Sequence, residues 1–227
     1  MTRVALERGR TWTFAAALDW PGWCRRAKTR DGDEAALEAL LAYAGRYALV
    51  VGEEFAPGDL EVVGAVAGDT TTDFGAPAVA GPWDDVSLTG ADAARQADLL
   101  QACWTALDHV AESSPEELAK GPRGGGRERT AMLDHVREAE RAYARKLAIA
   151  VPPRTPWPEQ RALVDAAVRS GGTGGAWPLR YGVRRIAWHV LDHAWEMQDR
   201  TPPIPRDHAR QTTPPAVIMH ARPPHPP

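Results

Sequence analysis

The sequence predicts an α+β protein: a small β-β-α-β unit at the N-terminus, then a four-helix bundle. Three observations carry this. Residues 11–18 alternate with period two, so that Trp12, Phe14, Ala16 and Leu18 share one face, as in a half-buried strand. Four later stretches, starting near residues 90, 127, 157 and 178, repeat apolar residues at helical spacing. The last of them carries His189 and His193, which four-residue spacing stacks on one helical face.

Composition narrows the function classes. The chain has 227 residues, 44% hydrophobic and 25% charged, room for one large domain or two small ones. A net charge of -3 gives no basic surface for nucleic acid, so no nucleic-acid partner is expected. No apolar run reaches the roughly 18 to 20 residues of a membrane span. Arg3, Glu7, Arg8 and Arg10 leave no room for the apolar core of a signal peptide. Cys24 and Cys103 are too few for a disulfide framework. A reduced, cytoplasmic protein is the expectation. The oligomeric state is left open, a homodimer among the options.

In chain order, residues 1–69 form the first unit. Residues 3–7 make a short strand with Val4 and Leu6 on one side, and residues 11–18 a second. Trp20-Pro21-Gly22-Trp23 fits a type II turn, Pro fixing the first corner and Gly allowing positive φ at the second. Asp31 to Glu34 offers an N-cap for a helix running to about Tyr47, with Leu37, Leu40, Leu41 and Ala44 at helical spacing. Residues 60–66 add a strand. The helix should cover one face of a sheet whose Trp12 and Phe14 point inward. Residues 70–88 show no periodicity and read as a linker or an ordered loop.

Residues 89–200 form the bundle. The first helix, about 90–113, buries Ala97, Leu100, Cys103, Trp104, Leu107 and Val110, and leaves His109 on the solvent side. A Gly-rich loop at 122–126 precedes the second helix, about 127–149. It lacks the Gly-Lys-Ser/Thr of a phosphate-binding loop, so a plain connection is the first reading. The other is an anion-binding corner, with Arg123, Arg127 and Arg129 at a helix start. On this second helix Met132, His135, Ala139, Ala142 and Tyr143 share a face. The third helix, about 157–169, turns Leu163 and Ala167 inward, and the fourth starts near Pro178. On its wheel Ile186, Val190 and Met197 lie to one side of His193, and Arg185, His189, Glu196 and Arg200 to the other. Nine prolines after Arg200 forbid a helix or core there, and residues 201–227 read as a disordered tail.

Bundles build metal sites from side chains on facing helices. His135 on the second helix with His189 and His193 on the fourth make a three-histidine set of that kind. Three neutral imidazoles leave a coordination position open, the pattern of a catalytic zinc site. Zn is the first metal, with Ni or Fe as alternatives. An open divalent ion lowers the pKa of a bound thiol or water, and a coordinating thiol becomes the reactive thiolate. Glu196 would orient a ligand, be a fourth ligand or act as a base. Arg185, Arg184 or the loop arginines Arg123 and Arg127 would hold a carboxylate. The bland reading is a hydrogen-bonded core cluster of histidines. Cys24 beside Arg25 and Arg26 is either a thiol of lowered pKa or an ordinary strand-edge cysteine.

Leu133-Asp134-His135-Val136, followed a helix later by Trp188-His189-Val190-Leu191-Asp192-His193, resembles the DinB-like superfamily. That superfamily includes the mycothiol-dependent maleylpyruvate isomerases and other thiol S-transferases. The resemblance covers about residues 89–200. It implies a DinB-like four-helix bundle with a divalent metal on His135, His189 and His193. It also implies a low-molecular-weight thiol such as mycothiol as cosubstrate, with a small electrophile as substrate. Ala16 to Trp23, with the helix after them, resembles the HicB-type antitoxin fold, a small sheet with one helix. Only the fold is carried over, because no helix-turn-helix or ribbon-helix-helix segment follows. The competing functional reading is a metal-binding but non-catalytic interaction or regulatory module.

Overall fold

The computed structural model of the chain describes residues 1–120, 128–172 and 174–201. The Gly-rich loop with Arg123 and Arg127, and the Pro-rich tail from 202 onward, lie outside the described residues. Four strands, β1 (Thr2–Arg8), β2 (Trp12–Ala17), β3 (Cys24–Lys28) and β4 (Leu60–Ala67), form one sheet in the order β3-β2-β1-β4. β1 pairs antiparallel with β2, and β2 with β3, while β4 lies parallel to β1. Helices α1 (Gly32–Ala42) and α2 (Ala44–Val51) make the crossover that a parallel pair requires.

The unit is therefore β-β-β-α-α-β rather than β-β-α-β. The extra strand, Cys-Arg-Arg-Ala-Lys, shows no apolar alternation because it is an edge strand, where charged side chains are tolerated. The helix expected to end near Tyr47 breaks at Tyr43 and resumes to Val51.

The face covered by these helices is also the opposite one. Val4, Leu6, Ala15 and Ala17 share a core with Ala36, Leu40 and Tyr47. Phe14 instead points to the other face, where it clusters with Cys24 and Trp188. Trp12 is half-buried beneath Lys28, whose ammonium sits 3.4 Å from its ring centre. Both faces of β2 are covered, so the large residues mark one face and the small ones the face against which helices sit closely.

Residues 70–88 are an ordered strap. Helix α3 (Thr70–Phe74) opens with a capping box: Asp69 accepts from the Thr71 and Thr72 amides while the Thr72 hydroxyl accepts from the Asp69 amide. The strap is tied to the sheet through Glu7, which accepts from the Thr72 hydroxyl and from the amides of Ala78 and Val79. A buried Arg184–Asp84 ion pair ties its far end to the bundle.

The bundle comprises α4 (Gly90–Ser113), α5 (Arg129–Lys146), α6 (Trp157–Ser170) and α7 (Leu179–Arg200). Helices α4 and α5 each pack against both α6 and α7. The α7 start falls one residue after the expected Pro178, which stands at the N-cap position. Sheet and bundle share one continuous apolar core, from Val4 and Leu6 through Trp23 to Trp104, Leu107 and Leu191. The Pro21–Gly22 turn makes the junction: Tyr47 donates its hydroxyl to the Pro21 carbonyl, and Trp23 its indole N–H to that of Leu40. No helix among the described residues is long and apolar enough to cross a membrane.

Candidate metal centre

Helix α7 carries the site. It runs without interruption from Leu179 to Arg200, and its one glycine, Gly182, permits a close approach of Leu147. A Cβ at Gly182 would lie 2.4 Å from Leu147 Cδ2. That contact seats the end of α5 against the first turn of α7 and aligns the two helices.

His189 is buried and His193 half-buried, one turn apart on α7. His135 faces them from α5. Ring centroids lie 5.1 Å apart for His135–His189, 5.0 Å for His135–His193 and 4.6 Å for His189–His193. One ring nitrogen from each falls within 4.8 Å of the others. Ligands about 2.0 to 2.1 Å from a tetrahedral ion stand roughly 3.4 Å apart. Small side-chain rotations therefore suffice to bring the three onto one ion.

His135 reaches this place differently from the wheel reading. The buried stripe of α5 is Met132, Val136, Glu140 and Ala144, and His135 stands half-buried at its margin with Ala139 and Tyr143. The displacement traces to Glu140, a carboxylate in the core that any hydrophobic pattern places outside. Its two oxygens accept the indole N–H groups of Trp104 and Trp157. On α6 the same happens: Gln160, Val164 and Val168 are buried, while Leu163 and Ala167 are half-buried.

Glu196 lies one turn beyond His193, and its Oε2 is 3.2 Å from His193 Nδ1. Arg200 donates to the other oxygen at 3.0 Å and to the Ala119 carbonyl at 2.7 Å. The hydrogen bond with His193, and after it Arg200, hold the Glu196 carboxyl below the usual carboxylate range despite partial burial. A carboxylate on the second nitrogen of a metal-ligating histidine fixes the ring's tautomer and orientation. This arrangement fits the orienting role among the three considered for Glu196.

Arg185 sits one turn before His189, 8% exposed. Its guanidinium lies 4.8 Å from the Tyr143 ring centre and 4.7 Å from that of Trp188. Those two rings stand 5.7 and 6.1 Å from the His189 ring. Tyr143 is held above its ordinary pKa by burial, which the Arg185 charge opposes. Arg184, the other candidate on this helix, has its fork engaged by Asp84. Asp192 pairs with Arg25 at 2.9 Å, and Arg25 is sandwiched between Tyr43 and Trp195, which clamps β3 beside the histidine turn. His109 is exposed on α4 and is not among the three histidines that converge. Burial pushes the Cys24 thiol up to about 12, so this cysteine is not an activated nucleophile.

Wheel reading missed the aromatic shell. Tyr181, Arg185 and Trp188 at i, i+4 and i+7 share the face that continues into His189, and that spacing was the available signal.

No family model matches the chain, and no curated protein or solved structure matches it either.

Proposed function

We propose that His135, His189 and His193 hold one divalent ion. Zinc is the first choice, since imidazole suits it, with nickel or iron as alternatives. We further propose that the protein is a thiol-dependent S-transferase or isomerase that joins a low-molecular-weight thiol such as mycothiol to a small electrophile. The observation that carries the metal reading is the convergence of three imidazoles from two helices, one of them braced by a carboxylate. When bound, the ion would supply Lewis acidity that raises the thiolate fraction of a coordinated thiol.

The chain's own residues have definable parts in this reading. Glu196 engages His193 Nδ1 and leaves Nε2 for the ion. Arg200 holds the other oxygen of Glu196 in place. Trp188 and Tyr143 flank His189 and keep water from its buried side. Arg185 presents a fixed positive charge one turn from the ligands. The thiol half of the reading draws on the resemblance of residues 133–136 and 188–193 to the DinB-like superfamily.

The experiment is metal analysis of untagged protein, followed by calorimetric titration with thiols. One equivalent of zinc, nickel or iron, and thiol binding that requires it, is the expected result. Metal without thiol binding would favour the non-catalytic module, and absence of metal would favour a hydrogen-bonded histidine cluster.

A further inference from the structure

The free face of the sheet does not lie against solvent. It stands opposite the first half of α7 and the strap, and between them runs a narrow cleft that opens in part to solvent. The floor is low because Ala5 and Ala16 are small. The walls are flat rings: Phe14 and Trp188, edge to face at 6.0 Å, with Trp83 of the strap.

Two polar groups on one helical face complete this apolar lining, Tyr181 and Arg185. Tyr181 is 4% exposed. The Tyr181 hydroxyl and Arg185 Nη1 are buried and have no hydrogen-bond partner among the described residues. Two buried donors without a partner, on one helical face in the wall of a cleft, mark a place for an acceptor brought by a ligand. The other charged groups of the cleft are occupied. Glu7 is filled by Thr72, Ala78 and Val79, and Arg184 by Asp84.

From this geometry we infer that the cleft binds a single-ring aromatic carboxylate, its carboxylate on Arg185 Nη1 and Tyr181 Oη and its ring among Phe14, Trp83 and Trp188. One guanidinium and one hydroxyl match a carboxylate. A phosphate dianion would need more donors and would face Glu7. Trp188 is shared, a wall of the cleft that stands one ring contact from His189. That this ligand is the electrophile of the metal site rests on the metal reading above; binding in the cleft does not. The N-terminal sheet is thereby half of a ligand site, not an appended module.

The test is calorimetry on the full chain, chelator-treated and with one equivalent of zinc. The probes are 3-phenylpropionate, its amide and propionate. The acid should bind at least about tenfold more tightly than the amide, as a hydrogen-bonded charge requires, and propionate should not bind measurably. Arg185→Met should weaken the acid about tenfold and leave the amide unchanged. Tyr181→Phe should weaken the acid less, and Ala16→Leu, which fills the floor, should abolish binding of both. Equal affinity for acid and amide, or an Arg185→Met protein that binds the acid like wild type, overturns the inference. If Arg185→Met does not fold, Tyr181→Phe and Ala16→Leu decide in the same way. Acid binding in the chelated protein supports the cleft even if the metal reading fails. Intact zinc stoichiometry without acid binding overturns the cleft alone.

Discussion

His193 Nδ1 and Glu196 Oε2 stand 3.2 Å apart across one turn of α7, and Arg200 grips the other oxygen of the same carboxylate. A histidine braced in this way presents one nitrogen, in one tautomer, to whatever lies in front of it. Glu196→Ala should therefore lower zinc affinity by roughly 10- to 100-fold without loss of fold. Competition with a chelating dye measures it. Unchanged affinity would make the carboxylate a surface partner of no consequence for the triad.

His193→Ala removes an imidazole that is half-buried, outside the apolar core. It should abolish stoichiometric metal binding while the far-ultraviolet circular dichroism stays that of the wild type. His109→Ala, exposed on α4, is the control and should retain one equivalent. A His193→Ala protein that still carries a full equivalent of metal would remove the triad from consideration.

The triad was legible because its signal is local for two members and periodic for the third. His189 and His193 need only helical spacing, and His135 needed only to lie on an inward-leaning part of α5. The strand Cys24–Lys28 was not legible, because Arg25 is buried by Tyr43 and Trp195, residues distant in sequence. The sheet's facing was misjudged for a related reason. Large residues such as Phe14 read as core, yet the helix-covered face is the one of Val4, Leu6, Ala15 and Ala17, where small side chains let helices approach. Glu140 misled the wheel of α5 because its burial depends on two indoles from other helices.

Gly22 tests the junction between sheet and bundle. The Pro-Gly pair called for positive φ at its second residue, and Gly22 has φ +93°. A Cβ there would meet Leu191 Cδ1 at 2.7 Å and Cys103 Sγ at 3.2 Å. Gly22→Ala thus combines backbone strain with overpacking, and should cost about 1 to 3 kcal/mol in urea unfolding. The loss should be smaller in Gly22→Ala combined with Leu191→Ala than the sum of the two single changes, because the second makes room for the first.

Glu140 gives the prediction with a pH sign. It is buried among α4, α5 and α6, accepts from Trp104 at 2.6 Å and from Trp157, and lies 3.9 Å from Arg161. Glu140→Ala leaves the buried Trp104 indole and the half-buried Trp157 indole without their acceptor, and at about 1 to 3 kcal/mol each the loss should reach roughly 2 to 6 kcal/mol. Glu140→Gln should cost less, since its carbonyl still serves one indole while its amide opposes the other. Burial raises the Glu140 pKa above its ordinary value, and this outweighs the opposing effects of Arg161 and the two indoles. The folded state then holds the proton more tightly than the unfolded chain. The stability tied to that proton is complete below the unfolded pKa of about 4.3 and is lost as pH rises through the folded value. Glutamine does not titrate, so the wild type's advantage over Glu140→Gln should shrink as pH climbs through that window and then level off. Unfolding free energies of the two proteins, measured side by side from acid to neutral pH, check this. An advantage that grows with pH would mean the indoles and Arg161 overcome the cost of burying the charge.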